Sequence, residues 1–270
     1  MTAAPWGGAI IGSQSHRTKP RKHLNPLAEN LEKLEESIAA ACRAAGRPRS
    51  EVELMAVSKT FPAETLIEAA SLGLRLFGEN RVQEWIQKAP ALGPKRQGME
   101  YHLIGHLQSN KALRAADLFD GIDSLDSLRL AERLNDAAAK LGKRLPALIE
   151  VKLSPEETKA GIDPESEDAA KLLEALPHLS SLEARGLMTI APWGAPDEVT
   201  RACFRSLRTW RDRWAKAHPR LNFDVLSMGM SGDFALAIAE GATRIRVGTA
   251  LFGKRTRPAA QDSDNEAEQA

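Results

Sequence analysis

The sequence contains few of the residues that hold proteins together by covalent or metal cross-links. Its 270 residues include only two cysteines, Cys42 and Cys203, which lie far apart and have no histidine or second cysteine at the spacing of a metal site. This pattern argues against a disulfide framework and against a zinc site. We expect two inert thiols in a reducing compartment and no bound metal.

Long apolar runs and an excess of one sign of charge are also missing. No stretch approaches the roughly 20 apolar residues that span a bilayer, and the N-terminal apolar stretch Gly7–Ile11 is too short for a signal peptide. Lysine and arginine number 37, against 36 for aspartate and glutamate. Binding to nucleic acid or to a membrane surface normally requires a basic excess or a basic face. We therefore expect a cytoplasmic protein that binds neither.

What the sequence does contain is a regular alternation of apolar runs with helical patterns. Residues 1–24 and 256–270 fall outside this alternation and are expected to be disordered, the second segment being acidic. An opening helix is predicted over Pro26–Gly46, where apolar residues recur every three or four positions and a glycine ends the pattern. Eight apolar runs follow, each separated from the next by a helical pattern. These predicted strands are Val52–Val57, Arg75–Phe77, Tyr101–Ile104, Phe119–Ile122, Leu145–Leu153, Ala184–Ile190, Phe223–Met228 and Arg244–Val247.

The alternation of strands and helices determines the predicted fold class. Such strands pair in parallel through helical crossovers, and eight units are the number that closes a (β/α)₈ barrel. The sequence therefore predicts an α/β protein with a single TIM-type (β/α)₈ barrel over residues 25–255 and an added N-terminal helix. A doubly wound open sheet is the alternative, although such sheets usually have fewer strands and a glycine-rich first loop.

Glycines and hydroxyl side chains gather at the ends of the seventh and eighth predicted strands and in the loops that follow them. In these barrels the loops after the strands form the ligand-binding face, and phosphate groups frequently bind at the last two loops. Glycine permits close approach of the backbone, and hydroxyl and N–H groups bind phosphate oxygens. We interpret the two loops as a phosphate cradle, with glycines that only make tight turns as the alternative. The candidate residues are Ser227, Met228, Gly229, Ser231, Gly248 and Thr249, of which Met228 is expected to pack beneath the ligand.

Lys59 follows the first predicted strand and is expected to project into the same barrel mouth. A lysine amine in an apolar pocket becomes a nucleophile that can form a Schiff base with an aldehyde. A solvated lysine at the end of the strand is the alternative. An amine and a phosphate cradle in one mouth suit a phosphorylated aldehyde, and pyridoxal 5′-phosphate (PLP) is the common cofactor of that description.

Five sequence blocks resemble the PLP homeostasis protein family, also called proline synthase co-transcribed homologues. The blocks are Ala56–Thr60 (AVSKT), Phe77–Glu84 (FGENRVQE), His102–Lys111 (HLIGHLQSNK), Leu226–Ser231 (LSMGMS) and Arg246–Gly253 (RVGTALFG). The resemblance covers about residues 27–255 and implies a barrel like the N-terminal domain of alanine racemase. It also implies that PLP is bound to Lys59 as a Schiff base, with its phosphate at Ser227–Ser231 and at Gly248 and Thr249.

Other polar residues are weaker candidates for the site. Arg246 shares a strand face with Gly248, so its guanidinium either reaches the pyridine nitrogen of PLP or lies in an ion pair inside the barrel. Asn80 and His102 are further candidates, and for His102 a core imidazole is equally compatible with the sequence. Lys152 departs from the family, which commonly has asparagine at this position, and would place a second cation in the mouth.

A carrier and an enzyme are the two competing functions. A PLP racemase needs an acid–base group on each face of its substrate, and alanine racemase takes its second base, a tyrosine, from an added domain. The sole tyrosine here, Tyr101, is predicted on the wrong side of the barrel, and only a tail is expected after Gly253. We therefore expect a monomeric PLP carrier in vitamin B6 homeostasis without robust catalysis, with apo PLP-dependent enzymes as candidate partners. A PLP-dependent racemase or decarboxylase is the alternative, and an aldolase that uses Lys59 on a sugar phosphate is a third possibility.

Overall fold

The computed structural model describes residues 25–154 and 160–253, which form a barrel of parallel strands. The strands are β1 (Glu53–Val57), β2 (Leu76–Glu79), β3 (Glu100–Leu103), β4 (Gly121–Leu125), β5 (Leu145–Glu150), β6 (Leu182–Met188), β7 (Val225–Ser227) and β8 (Arg244–Val247). The strands pair in chain order, and β1 pairs with both β2 and β8, so the sheet is closed. This closure confirms the predicted (β/α)₈ barrel and excludes the open sheet.

Helices surround the barrel and precede it. They are α1 (Pro26–Ala44), α2 (Ala63–Ser71), α3 (Val82–Leu92), α4 (Ala112–Leu118), α5 (Leu128–Lys140), α6 (Glu167–Ala175), α7 (Asp197–Ala217), α8 (Phe234–Ala239) and α9 (Thr249–Phe252). The predicted N-terminal helix is confirmed as α1, whose first turn is capped by Asn25 through a 3.0 Å hydrogen bond from the N–H of Leu27. Leu34 and Ile38 of α1 are buried, and the helix packs against α8 and α9.

The predicted N-terminal arm at residues 1–24 and the acidic tail at residues 256–270 lie outside the described residues. In the ranges that the structure describes, no helix combines the length and the apolar character needed to cross a membrane.

The amino-terminal half of the barrel interior contains a buried polar network. The predicted fourth strand, Phe119–Ile122, is wrong, because β4 begins and ends further along the chain. Asp123 therefore lies within this strand. One oxygen of Asp123 lies 2.7 Å from Nδ1 of His102, and Arg244 donates to the other at 3.1 Å. Arg244 also pairs with Glu53 at 2.8 Å. His102 is therefore a satisfied core imidazole, the alternative that the sequence left open.

The fifth strand ends earlier than predicted, at Glu150 instead of Leu153. The chain returns to this strand after the loop, where the N–H of Ile162 donates to the carbonyl of Glu150 at 2.8 Å. The N–H of Lys152 then donates to the carbonyl of Ile162 at 2.9 Å. These bonds place Glu150 and Lys152 at the carboxyl-terminal edge of the barrel.

A second core layer lies between the strands and the helices. Phe77, Trp85 and Tyr101 are fully buried in it, with ring centroids 4.2 Å apart for Trp85 and Tyr101 and 5.3 Å apart for Phe77 and Tyr101. The Tyr101 hydroxyl donates to the sulfur of Met99 at 2.7 Å. Tyr101 thus belongs to the outer core layer and, as predicted, does not reach the barrel mouth.

Candidate functional site

A cavity of about 580 Å³ opens at the carboxyl-terminal ends of the strands. Its volume lies within the range usual for small-molecule sites. Most of the residues predicted for the site line it, namely Lys59, Asn80, Ser231, Arg246, Gly248 and Thr249. The other predicted residues, Ser227, Met228 and Gly229, do not border the cavity and belong to the layer that supports its wall. The structure therefore brings together the residues that sequence position alone had collected from separate loops.

Lys59 borders the cavity two residues after the end of β1, at its predicted place. The residue that follows, Thr60, has a φ of 69°, in the left-handed region that β-branched residues rarely adopt. The N–H of Thr60 donates to the carboxylate of Glu84 on α3. The residue before Lys59, Ser58, is fully buried, and its hydroxyl donates to Oε1 of Glu79 at 2.7 Å. Lys59 therefore stands between two residues that are each tied to a neighbouring element.

The glycines of the loops after β7 and β8 allow close packing. Gly229 has a φ of 92°, and a Cβ at this position would lie 2.6 Å from the Cβ of Ala237. A side chain at Gly248 would bring its Cβ to 3.2 Å from the carbonyl oxygen of Val57. Met228 is fully buried beside them. Gly229 therefore makes the tight turn that the sequence left open as the alternative, whereas Gly248 both packs closely and faces the cavity.

The same two loops present hydrogen-bond donors along one edge of the cavity. Ser231 and Thr249 supply hydroxyl groups there. The Ser231 hydroxyl accepts the N–H of Ala250 at 3.3 Å, which ties the loop after β7 to α9. The N–H groups of Gly232 and Thr249 make no hydrogen bond to any other described residue. N–H groups without a partner among the described residues, together with hydroxyl groups that can donate, are suited to phosphate oxygens.

Arg246 is almost completely buried at the cavity wall. Its guanidinium donates to the carbonyl and hydroxyl oxygens of Ser227 at 2.7 and 2.9 Å and to the carbonyl of Thr189 at 2.8 Å. Burial lowers the pKa of Arg246, and the charges of Asp123 and Glu150 act in the opposite direction. Among the described residues, its partners are thus neutral oxygens, so the ion pair considered from the sequence is not formed. Ser227 serves to hold Arg246.

Glu150 is a cavity residue that the sequence analysis missed. It is only 5% exposed, and its Oε2 atom has no hydrogen-bond partner among the described residues. Burial and the negative charge of Asp126 raise its pKa to about 7, while Arg246 acts to lower it. The mouth therefore holds an ionisable carboxyl group, whereas the sequence analysis considered only Tyr101 as a second acid–base group. The signal in the sequence was Glu150 itself, a carboxylate at the end of an apolar run. The predicted strand extended to Leu153 and so placed Glu150 inside the strand and not at its end.

The charges around the cavity favour an anionic ligand. Lys59, Lys152 and Arg246 bring cationic side chains to its wall, and Glu150 is the one carboxylate among the described lining residues. Lys152 therefore provides the second cation predicted for the mouth. The remaining wall is largely apolar and includes Val57, Phe61, Ile104, Val151, Leu153, Ile190 and Met230. An amine, several cations, phosphate-binding groups and apolar walls fit PLP. No group of metal-ligating side chains is found within residues 25–154 and 160–253.

The chain is similar to a family model and to named proteins along most of its length. A family model described as alanine racemase, N-terminal domain, matches residues 29–256. The pyridoxal phosphate homeostasis protein of Pasteurella multocida is 41% identical over 231 residues, which cover 85% of this chain and 97% of that protein.

Solved structures show the same relationship. PipY of Synechococcus elongatus, solved with PLP bound, is 45% identical and superposes with a TM-score of 0.75 over 84% of this chain and 100% of its own. An alanine racemase of Clostridium difficile shares 16% identity and a TM-score of 0.67 over 87% of this chain and 58% of the racemase. At that identity the racemase supports the fold alone.

Proposed function

The chain belongs to the pyridoxal phosphate homeostasis protein family, which shares the alanine racemase N-terminal domain, and from this premise we propose that it holds PLP on Lys59. The observation that carries the proposal is the convergence of Lys59, the cationic wall and the donor-rich loops in one cavity. When bound, PLP supplies an aldehyde that a lysine amine can hold as a Schiff base.

Different residues of the cavity would contact different parts of the cofactor. Ser231, Gly248 and Thr249 would hold the phosphate with hydroxyl and N–H groups, and Asn80, which follows β2, would supply a further polar contact. Arg246 is fixed by its supporting oxygens and can only donate hydrogen bonds. A ring nitrogen that met this guanidinium would therefore stay an unprotonated acceptor. That state weakens the electron withdrawal on which PLP catalysis depends.

A carrier that supplies PLP within the cell is the role that this chemistry supports best. Two observations favour a protein that holds PLP over a robust catalyst. The relatives are named pyridoxal phosphate homeostasis proteins, and Arg246 can only donate hydrogen bonds. In this role we expect a monomer that transfers the cofactor to apo PLP-dependent enzymes. Glu150 favours a second candidate, a PLP-dependent racemase or decarboxylase, because a buried carboxyl that titrates near neutrality is a suitable acid–base group.

Titration with PLP tests the proposal. Wild-type protein should develop the visible absorption band of a lysine Schiff base, and Lys59→Ala should abolish it. Lys152→Ala, which removes a different cation of the same cavity, is the matched control and should keep the band. Loaded protein should then activate an apo PLP-dependent enzyme without exchanging the α-proton of L-alanine. Rapid proton exchange that Glu150→Gln removes would establish the racemase-type alternative and contradict the carrier.

A further inference from the structure

Lys88 on α3 is a buried lysine outside the cavity, and its contacts converge on the segment that carries Lys59. Its side chain is 7% exposed. The ammonium donates to the carbonyl of Ser58 at 3.0 Å, to Oε1 of Glu79 at 2.7 Å and to Oε1 of Glu84 at 3.3 Å. An ammonium group has three protons, so each acceptor takes one. Glu79, Glu84 and Lys88 thus form one connected group, here called the Lys88 cluster.

The Lys88 cluster contacts the chain on both sides of Lys59. On one side, Ser58 donates its hydroxyl to Glu79 and accepts from Lys88 at its carbonyl. On the other side, the N–H of Thr60 donates to Glu84. The side chain of Lys59 itself turns to the cavity. Two separate points of attachment on neighbouring residues fix the direction in which the intervening side chain leaves the backbone.

The backbone at Thr60 has an unfavourable conformation that its surroundings must stabilise. Thr60 is the one residue other than glycine with a positive φ in the described part of the chain. A β-branched side chain disfavours this conformation, and such outliers persist where the surroundings over-determine them. The carboxylate of Glu84 supplies the compensating acceptor for the N–H of that residue. Without it, the chain after Lys59 would relax toward an ordinary conformation.

We propose that the Lys88 cluster is a positioning clamp that aims the Lys59 amine into the cavity. This proposal rests on the proposed function, because PLP bound in the cavity is the partner with which the Lys59 amine would react. Glu79, Glu84 and Lys88 are positioning residues and act through Ser58 and Thr60. A purely stabilising role does not explain why the contacts of the cluster converge on the two residues that flank Lys59.

Glu84→Ala is the most informative variant, because its side chain is 26% exposed and its removal threatens the fold less than a change at Lys88. The matched control is Glu167→Ala, which removes a carboxylate from the first turn of α6 and from an exposed pair with Lys171 at the same four-residue spacing. The rate at which the Schiff-base band grows after mixing with PLP should fall about tenfold or more in Glu84→Ala and stay unchanged in the control. The band at saturating PLP should remain in both variants.

Pyridoxal, which lacks the phosphate, distinguishes positioning from an effect on phosphate binding. A clamp on the amine predicts the same fold-reduction in rate for pyridoxal and for PLP. A reduction confined to PLP would show that Glu84 acts on the phosphate site and would overturn the proposal. Equal rates in wild type and Glu84→Ala would overturn it as well. A wild type that forms no band at all would instead refute the proposed function.

Thr60→Gly tests the route by which Glu84 acts. Glycine adopts a positive φ without steric cost. Glu84 should therefore be less important for keeping the turn after Lys59 in its conformation. In the Thr60→Gly background, Glu84→Ala should therefore slow the reaction by a clearly smaller factor than in wild type. An undiminished factor would contradict the clamp, because Glu84 would then act on Lys59 by another route.

Discussion

The two halves of the barrel interior differ in whether their buried carboxylates have hydrogen-bond partners. In the amino-terminal half, Asp123 is paired with both His102 and Arg244. Although burial acts to raise it, these neighbours hold the pKa of Asp123 below its usual value. In the carboxyl-terminal half, Glu150 has an oxygen without a partner among the described residues, and burial raises its pKa to about 7. Two carboxylates on neighbouring strands thus have pKa values displaced in opposite directions.

This difference indicates which half maintains the fold and which half binds a ligand. Buried polar groups are normally satisfied, and an unsatisfied one needs an explanation such as a bound partner. The closed network around Asp123 satisfies its own members, so it contributes to the fold. The cavity around Glu150 and Lys59 is lined by charged side chains that a ligand can contact. Changes in the first half should therefore affect stability itself, and changes in the second should affect ligand binding or the pH dependence of stability.

The largest effect is expected from breaking the closed network. Asp123→Ala leaves Arg244 and His102 buried without their shared partner and should lower the free energy of unfolding by about 3 to 5 kcal/mol. Urea unfolding monitored by circular dichroism measures the loss. Glu53→Ala removes the other carboxylate that contacts Arg244, but its side chain is 50% exposed, so it should cost much less. Equal losses in the two variants would show that the buried network has no special role in the fold.

Glu150→Gln should change the pH dependence of stability. Because the pKa of Glu150 rises from 4.5 to about 7 on folding, the native state binds a proton more tightly than the unfolded chain. Its contribution is fully present below about pH 4.5 and is lost as the pH rises through about 7. The loss should amount to about 3 kcal/mol. Unfolding free energies measured across this window should fall less in Glu150→Gln; parallel pH profiles would contradict the assignment.

Ser231→Asp should separate ligand binding from stability. A carboxylate beside the proposed phosphate position should weaken PLP binding by tenfold or more, which corresponds to about 1.4 kcal/mol. Pyridoxal should bind nearly as well as it does to wild type, and the urea midpoint should stay the same. Equilibrium dialysis with both ligands measures this difference. If both ligands lose affinity equally, the loop shapes the barrel and does not contact a phosphate.

The smallest effect is expected from Lys152→Asn, which removes one cation from the cavity wall. PLP affinity should fall less than tenfold, since Lys59 and Arg246 remain. Added salt should reduce the difference between wild type and variant, because screening weakens charge interactions near solvent. The matched control Lys171→Asn, which changes an exposed lysine of α6, should show neither effect. A salt-independent loss would mean that Lys152 acts through packing instead of charge.

Sequence reasoning succeeded where a residue's position along a strand decides its location. Lys59 lies two residues after the end of β1 and Gly248 directly follows β8, so the barrel geometry alone sends them to one mouth. Glu150 was missed because the end of β5 depends on the return of Ile162 to that strand, a contact remote in sequence. The Lys88 cluster was missed because it depends on how α3 packs against the turn after β1. Periodicity reports which face of an element is buried but not which neighbour it meets.

Reduction with borohydride followed by peptide mapping tests the central claim most directly. Protein saturated with PLP is reduced, digested and analysed by mass spectrometry to find the lysine that carries the pyridoxyl group. The account predicts the modification on Lys59, with the same treatment of Lys59→Ala leaving the cavity lysines unmodified. A dominant adduct on Lys152, or on a lysine outside the cavity such as Lys111, would contradict it.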